Sequence, residues 1–320
     1  MKRVLVLHTG GTISMVQEEG GVTPTSHHPL MDPMAFLPKD IEVTVEEIFN
    51  LPSPHIRPEE MLQLKTRIVE AQKQGFDGVV ITHGTDTLEE TAYFLDMTVS
   101  KQISVVITGA MRSSNEIGSD GQYNYLQSII TAANEESKNQ GVLVVMNDEI
   151  HAAKFVTKTH TTSVDTFRTP TFGPIGIISK KKVIFIKDVV DQRIVDINTV
   201  TGNVLLIKAY AGMDSFIFDL IEKQDVDGIV IEALGAGNMP PSVIESLQRL
   251  IDKEIPIALV SRCSNGIAQD IYDYPGGGIP LSKMGITLVK GLSGQKARLR
   301  MLVGLNCGFK AQELKQYMMS

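Results

Sequence analysis

Hydrophobic positions along the chain fall into short β-branched runs, each followed by glycine or polar residues and then by a helical period. Runs at 4–7, 41–48, 78–82, 103–108, 142–146, 183–186, 204–208, 227–231 and 256–261 predict strands. Several of them (VVIT, VLVVM, IVIEAL, IALV) are continuously apolar rather than alternating, the pattern of parallel strands covered on both faces. One helix opens at Pro58-Glu59-Glu60, with proline in its first turn and acids at its positive end, and Gly75 stops it. Further helical periods span 86–98, 119–137, 240–253 and 293–305. The order βαβα predicts an α/β fold with a largely parallel sheet.

The polar stretch 187–203 lacks a clean helical period and separates two blocks of this pattern. It predicts an N-terminal domain over 1–190, a linker over 191–203 and a C-terminal domain over 204–320, two domains being the ordinary number for 320 residues. No internal repeat or low-complexity tract stands out. Residues 15–31 carry Glu18-Glu19-Gly20-Gly21, Pro24 and Pro29, show no periodicity, and are too many for a routine connection. Such segments are usually functional lids or disordered.

Composition narrows the class. Hydrophobic residues make up 42% of the chain, and a chain of this size buries enough surface to need no staples. Thirty Lys and Arg against 37 Asp and Glu leave a net charge of −7 without a basic stripe, which argues against a nucleic-acid partner. No apolar run approaches the roughly 20 residues of a membrane helix. Two cysteines, Cys263 and Cys307, give neither a disulfide framework nor a metal-ligand spacing and read as small packing residues. The start, MKRVLVLHTGG, has too short an apolar run for a signal peptide, whose core spans roughly 7–15 residues. Lys2-Arg3 lead directly into the first strand, and the expected compartment is the cytoplasm.

The chemistry signal lies where strands end, which is where open α/β sheets bind ligands. The first strand runs into His8-Thr9-Gly10-Gly11-Thr12-Ile13-Ser14, whose two glycines permit a sharp turn and close backbone approach. The run 78–82 leads into His83-Gly84-Thr85-Asp86-Thr87, where Thr85 or Asp86 would cap the next helix. Taken singly, each is a turn or a cap. There is no GxGxxG, no GxxxxGK[ST] and no GxSxG, so dinucleotide, phosphate-loop and serine-elbow chemistry have no support. His27-His28 point opposite ways in an extended loop without a third ligand, Lys180-Lys181-Lys182 reads as a solvated turn, and Gly276-Gly277-Gly278 as a flexible connection with no helix start after it.

Read together, TGGTIS at 9–14 and THGTDTLEETAYFLD at 82–96 resemble the two signatures of the bacterial-type L-asparaginases. ITGAMR at 107–112, SDGQYN at 119–124, VTKTH at 156–160 and GAGNMP at 235–240 extend the resemblance over essentially the whole chain. It implies a larger N-terminal α/β domain with a mostly parallel, mixed sheet, and a smaller C-terminal α/β domain with a parallel sheet. It also implies a homotetramer of intimate dimers, with each site shared between the N-terminal domain of one subunit and the C-terminal domain of its partner. The implied reaction hydrolyses L-asparagine to L-aspartate and ammonia, with no metal and no organic cofactor.

By the same resemblance Thr12 is the acylated nucleophile, and Thr85, Asp86 and Lys158 form a hydrogen-bonded relay beside it. Gly11, the backbone of Gly84 and Thr85, and Ser53 would hold the substrate, with Asp86 pairing its ammonium. Ala110 would offer its carbonyl to the leaving amide, and Asn238 would reach a neighbouring site. Three positions depart from the family pattern. Pro54 stands where many relatives have glutamine, and Tyr272, with Asp270 and Asp273 close by, where secreted relatives have glutamate. Val22 stands where the lid usually has a tyrosine. These changes bear on the choice between asparagine and glutamine. The lid is expected to order on aspartate binding. The alternatives are a mixed glutaminase-asparaginase, the asparaginase-like subunit of an archaeal-type tRNA-dependent amidotransferase, and a catalytically silent amino-acid-binding regulator.

Overall fold

A computed structural model describes residues 1–18, 21–24, 36–189 and 193–320. The chain divides into two compact units, Met1–Ile194 and Val195–Ser320.

The first unit is built on an eight-stranded sheet. In chain order its elements are β1 (Lys2–His8), β2 (Met15–Glu18), β3 (Gly21–Pro24), β4 (Ile41–Glu47), α1 (Pro58–Lys73), β5 (Gly78–Thr82), α2 (Leu88–Thr98), β6 (Ser104–Thr108), α3 (Gly121–Ala133), β7 (Val142–Met146), β8 (Glu149–Ala152), β9 (Thr157–Lys158), β10 (Phe167–Arg168), β11 (Gly176–Ser179) and β12 (Lys182–Phe185). The sheet order is β12-β11-β8-β7-β6-β5-β1-β4. The run β4-β1-β5-β6-β7 is parallel throughout, and beyond β7 the strands β8, β11 and β12 each pair antiparallel with the strand before them in the sheet.

Counted along the chain, the parallel strands lie in the order 2-1-3-4-5, in which the direction of winding reverses between the first and third. Here that reversal falls between β1 and β5. Every residue of β5, β6 and β7 is buried, as continuous apolar runs require. Val4, Val6, Val80 and Val106 pack with Tyr125, Ile129 and Ala132 of α3. Their alternates Leu5, Leu7, Val79 and Val105 point to the opposite face and are equally buried. Each such side chain contributes about 1.5–3 kcal/mol relative to exposure.

Several local expectations are corrected. The aperiodic 15–31 stretch contains an antiparallel hairpin, β2 with β3, registered Met15↔Pro24 to Glu18↔Gly21. Four-residue strands are too short to show a period, and the signal was the two-residue spacing between them. Residues 19–20 and 25–31, with His27 and His28, lie outside the described residues. β8 and β11 were also unforeseen. Asn147 and Asp148, both at positive φ, make the tight link from β7 to β8, a role such residues favour.

The second unit contains β13 (Val204–Lys208), α4 (Phe216–Ile221), β14 (Gly228–Ala233), α5 (Ile244–Asp252), β15 (Ile257–Ser261), α6 (Gly278–Lys283), β16 (Thr287–Leu288), α7 (Gly294–Asn306) and α8 (Ala311–Met319). Its sheet, β13-β14-β15-β16, is parallel. Ile229, Ile231 and Leu259 form a core with Phe218, Leu247, Leu250 and Leu281.

Gly276-Gly277-Gly278 is no flexible connection. A helix starts at Gly278, and a Cβ on Gly276 would stand 2.1 Å from the carbonyl oxygen of Met239. The glycines are there so that two backbones can touch. Cys263 is exposed and Cys307 half-buried. Cys263 falls in the loop after β15 and is not a core residue. Lys180 and Lys181 form the exposed turn between β11 and β12.

Candidate active site

Three loops meet at the carboxyl ends of β1, β4 and β5. Beyond β1, Thr9 donates both its N–H and its hydroxyl to the Thr82 carbonyl (3.1 and 2.9 Å), clamping the loop to β5. On the other side, Leu51 N–H donates to the Thr9 carbonyl at 3.0 Å, bringing in the loop after β4. Gly11 has φ +85°, and a Cβ there would lie 2.4 Å from both Cα and N of Gly84. A Cβ on Gly84 would lie 2.8 Å from Cβ and Oγ of Ser53. The peptide before Thr12 therefore stacks directly on the peptide before Thr85, and that one on Ser53. Only glycine at both positions allows this approach.

Thr12 opens a 3-10 turn, Thr12–Ser14, and is partly exposed, while its neighbours Ile13 and Ser14 are buried. Thr85 is 7% exposed. Lys158 Nζ donates to Thr85 Oγ1 at 2.9 Å and to Asp86 Oδ1 at 2.7 Å. The lysine side chain is largely covered (16%), whereas Asp86 stands 62% exposed. One carboxylate oxygen of Asp86 thus holds the lysine while the group remains open to solvent or a ligand.

Ser53 is buried, and its Oγ accepts the Asp86 N–H at 3.2 Å. That bond uses a lone pair and leaves the hydroxyl proton to donate to an anion. Neither Thr85 nor Asp86 caps α2. The N-cap is Thr87, which makes no side-chain cap bond and donates its hydroxyl to the Ser53 carbonyl at 2.8 Å. Because α2 starts only at Leu88, Asp86 and Thr85 lie one and two residues outside the N-cap, and their side chains bond Lys158 instead. Pro54 lies exposed in the 3-10 turn Ser53–His55.

Ala110 is buried just beyond β6. Sequence reasoning missed what fixes its loop. Asp120 accepts from Met111 N–H at 3.1 and 3.0 Å and from Arg112 N–H at 3.0 Å. Asn124 donates to the Gly109 carbonyl and to Asp120, both at 3.1 Å. The signal was the SDGQYN match, whose acid and amide are spaced four apart on a helix and so share a face.

Burial without a charged partner pushes the His83 imidazole down to about 4. Its ring lies 2.8 Å from the Gly84 carbonyl through Nδ1 and 2.9 Å from Thr91 Oγ1 through Nε2. It is a neutral brace beneath the loop.

In the second unit Asn238 closes a tight turn after β14, exchanging backbone bonds with Leu234 (3.0 and 2.9 Å). Its side-chain Oδ1 is buried and accepts no hydrogen bond among the described residues. Tyr272 is exposed, its ring 5.6 Å from that of Tyr274. Among the described residues no group of His, Cys, Asp and Glu could hold a metal, and no helix is long and apolar enough to cross a membrane.

Fold and site define a two-unit α/β protein with hydroxyl, ammonium and carboxylate groups gathered at the switch point of its larger sheet. The chain belongs to the asparaginase family. Residues 3–191 match the family model "Asparaginase, N-terminal", and residues 203–318 match "Glutaminase/Asparaginase C-terminal domain". It is 36% identical over 321 residues to a probable L-asparaginase of Deinococcus radiodurans, covering 99% of this chain and 97% of the relative. It is 33% identical over 305 residues to an L-asparaginase of Bacillus licheniformis (94% and 95% covered). Among solved structures, a probable cytoplasmic L-asparaginase from Campylobacter jejuni superposes with a TM-score of 0.87 at 31% identity, over 99% of each chain.

Proposed function

We propose that the chain hydrolyses the side-chain amide of L-asparagine to L-aspartate and ammonia through an acyl ester on Thr12. The observation that carries this reading is the Thr85–Lys158–Asp86 cluster (2.9 and 2.7 Å), set against the loop that bears Thr12. A threonine hydroxyl is a weak nucleophile, and a hydrogen-bonded relay beside it supplies the proton path it needs.

In the acylation step Thr12 Oγ1 bonds to the amide carbon and its proton leaves through the relay. The tetrahedral intermediate collapses, the C–N bond breaks, and the nitrogen departs protonated as ammonia. Water then attacks the ester, returns a proton to Thr12 Oγ1 and frees aspartate. The free hydroxyl proton of Ser53 and the N–H groups of Gly84 and Thr85 suit the α-carboxylate, and the exposed Asp86 suits the α-ammonium. Gly11 lets the backbone come close to the substrate, and the Ala110 carbonyl would receive the leaving amide.

Asn238 and Tyr272 are read as contributions to the site of a partner subunit in a homotetramer. The unsatisfied Oδ1 of Asn238 supports this, because a buried acceptor without a donor is rare. A cytoplasmic location is supported by the description of the Campylobacter relative. A mixed glutaminase-asparaginase is the second reading, favoured by the breadth of the C-terminal family. Pro54 offers neither N–H nor side-chain amide, and one methylene discriminates by only about 1–3 kcal/mol.

Ammonia release by the purified chain from L-asparagine and L-glutamine tests both readings. A higher kcat/KM for asparagine is expected. Equal values would establish the mixed activity, and no release from either amide would refute the proposal.

A further inference from the structure

We propose that Glu89 is a positioning residue for Lys158, holding the lysine's backbone while Thr85 and Asp86 hold its ammonium. The inference rests on the amide-hydrolysis reading for its kinetic consequence, though not for its geometry.

Lys158 lies on β9, which among the described residues pairs with β10 alone, in a two-stranded ribbon outside the main sheet. A ribbon of that size has little stability of its own, and a relay lysine on it needs an anchor. Glu89 provides one. The residue is 5% exposed, and its Oε1 accepts from Thr157 Oγ1 at 3.0 Å and from the Lys158 N–H at 3.3 Å.

Glu89 sits in the first turn of α2, where the helix favours negative charge. Thr85 and Asp86 lie four and three residues before it. One short segment thus grips the lysine at both ends, its N–H through Glu89 and its Nζ through Thr85 and Asp86. Any shift of the ribbon along α2 would change the Lys158–Thr85 distance. The other strand of the ribbon is tied separately, with Arg168 Nη1 3.3 Å from Glu149 and Nη2 paired with Asp165. Loss of Glu89 is therefore expected to displace Lys158 without dissolving the ribbon.

The test combines kinetics and structure on the full chain. Glu89→Ala is expected to lower kcat on L-asparagine about 10- to 100-fold, the scale of a roughly 1 Å misplacement, with KM nearly unchanged. Glu89→Gln, which keeps an accepting oxygen, should recover most of that loss. Thr157→Val removes one bond without emptying the space and should lower kcat about fivefold, which keeps the test open if the alanine variant does not fold. Wild-type kcat in folded Glu89→Ala or Thr157→Val would overturn the inference, and so would a loss that glutamine fails to recover. Crystal structures of wild type and Glu89→Ala separate this inference from the functional reading. Lengthening of the Lys158–Thr85 contact beyond hydrogen-bond range supports it even if no amide is hydrolysed, and an unmoved lysine refutes it.

Discussion

Gly11→Ala tests the packing that sets the two threonine loops side by side. The new methyl would lie 2.4 Å from Cα and N of Gly84, about 1 Å inside ordinary carbon contact. Neither partner is a flexible side chain, so the backbone itself must give way. Two costs combine. Alanine at φ +85° loses about 1–2 kcal/mol to the left-handed conformation. Forcing a methyl into a filled space costs typically about 1–3 kcal/mol more. Together these lower the stability of the first unit by roughly 2–5 kcal/mol and its Tm by roughly 5–15 °C.

Gly212→Ala is the control, because Gly212 has φ +77° with nothing within 4 Å of its Cβ position, so it bears the first cost alone. The assay is thermal and urea unfolding of both variants, with ammonia release measured on the folded protein. Since the clash displaces the peptide joined to Thr12, turnover is expected to fall about 100-fold in Gly11→Ala and to stay near wild type in Gly212→Ala. Equal destabilisation of the two variants, with activity retained in both, would refute the claim that the loops touch through Gly11 and Gly84.

Other predictions follow from the same geometry. The His83 pKa is about 4 in the folded chain against about 6.5 unfolded, so its contribution to stability is complete above pH 6.5 and is lost as pH falls towards 4, by about 3 kcal/mol in all. Urea unfolding between pH 7 and 4.5 should therefore be less pH-dependent in His83→Gln than in wild type. Ser53→Ala removes the acceptor of the Asp86 N–H and the donor proposed for the substrate carboxylate, and should raise KM about 10-fold or more. Asp120→Ala strands the N–H groups of Met111 and Arg112 at about 1–3 kcal/mol each and should lower both Tm and kcat.

The parallel strands were legible because burial on both faces leaves an unbroken apolar run. Gly78–Thr82 and Val142–Met146, buried at every residue, appear with the bounds their sequences suggest. Of the antiparallel additions, β12 was legible in the run 183–186, but β8 and β11 were not, since each is four residues long and β11 alternates between buried and exposed. They join the sheet by pairing, a tertiary property that local hydrophobicity does not encode. At the site, the threonine motifs stood out through their glycines, whose need is the contact of Gly11 with Gly84. Lys158 was legible only by family resemblance, because a lysine on a two-residue strand looks like any surface lysine until the fold brings Thr85 and Asp86 to it. Glu89, Asp120 and Asn124 work by holding backbone N–H and C=O groups, and no spacing rule along the chain announces which distant amide a carboxylate will meet.

Thr12→Ala tests the central claim most directly, by ammonia release from L-asparagine measured alongside thermal unfolding. If Thr12 carries the acyl group, turnover falls roughly 10³-fold or more while Tm stays near that of the wild type, because the partly exposed side chain leaves little cavity. A folded Thr12→Ala protein that hydrolyses asparagine at close to the wild-type rate would contradict the account.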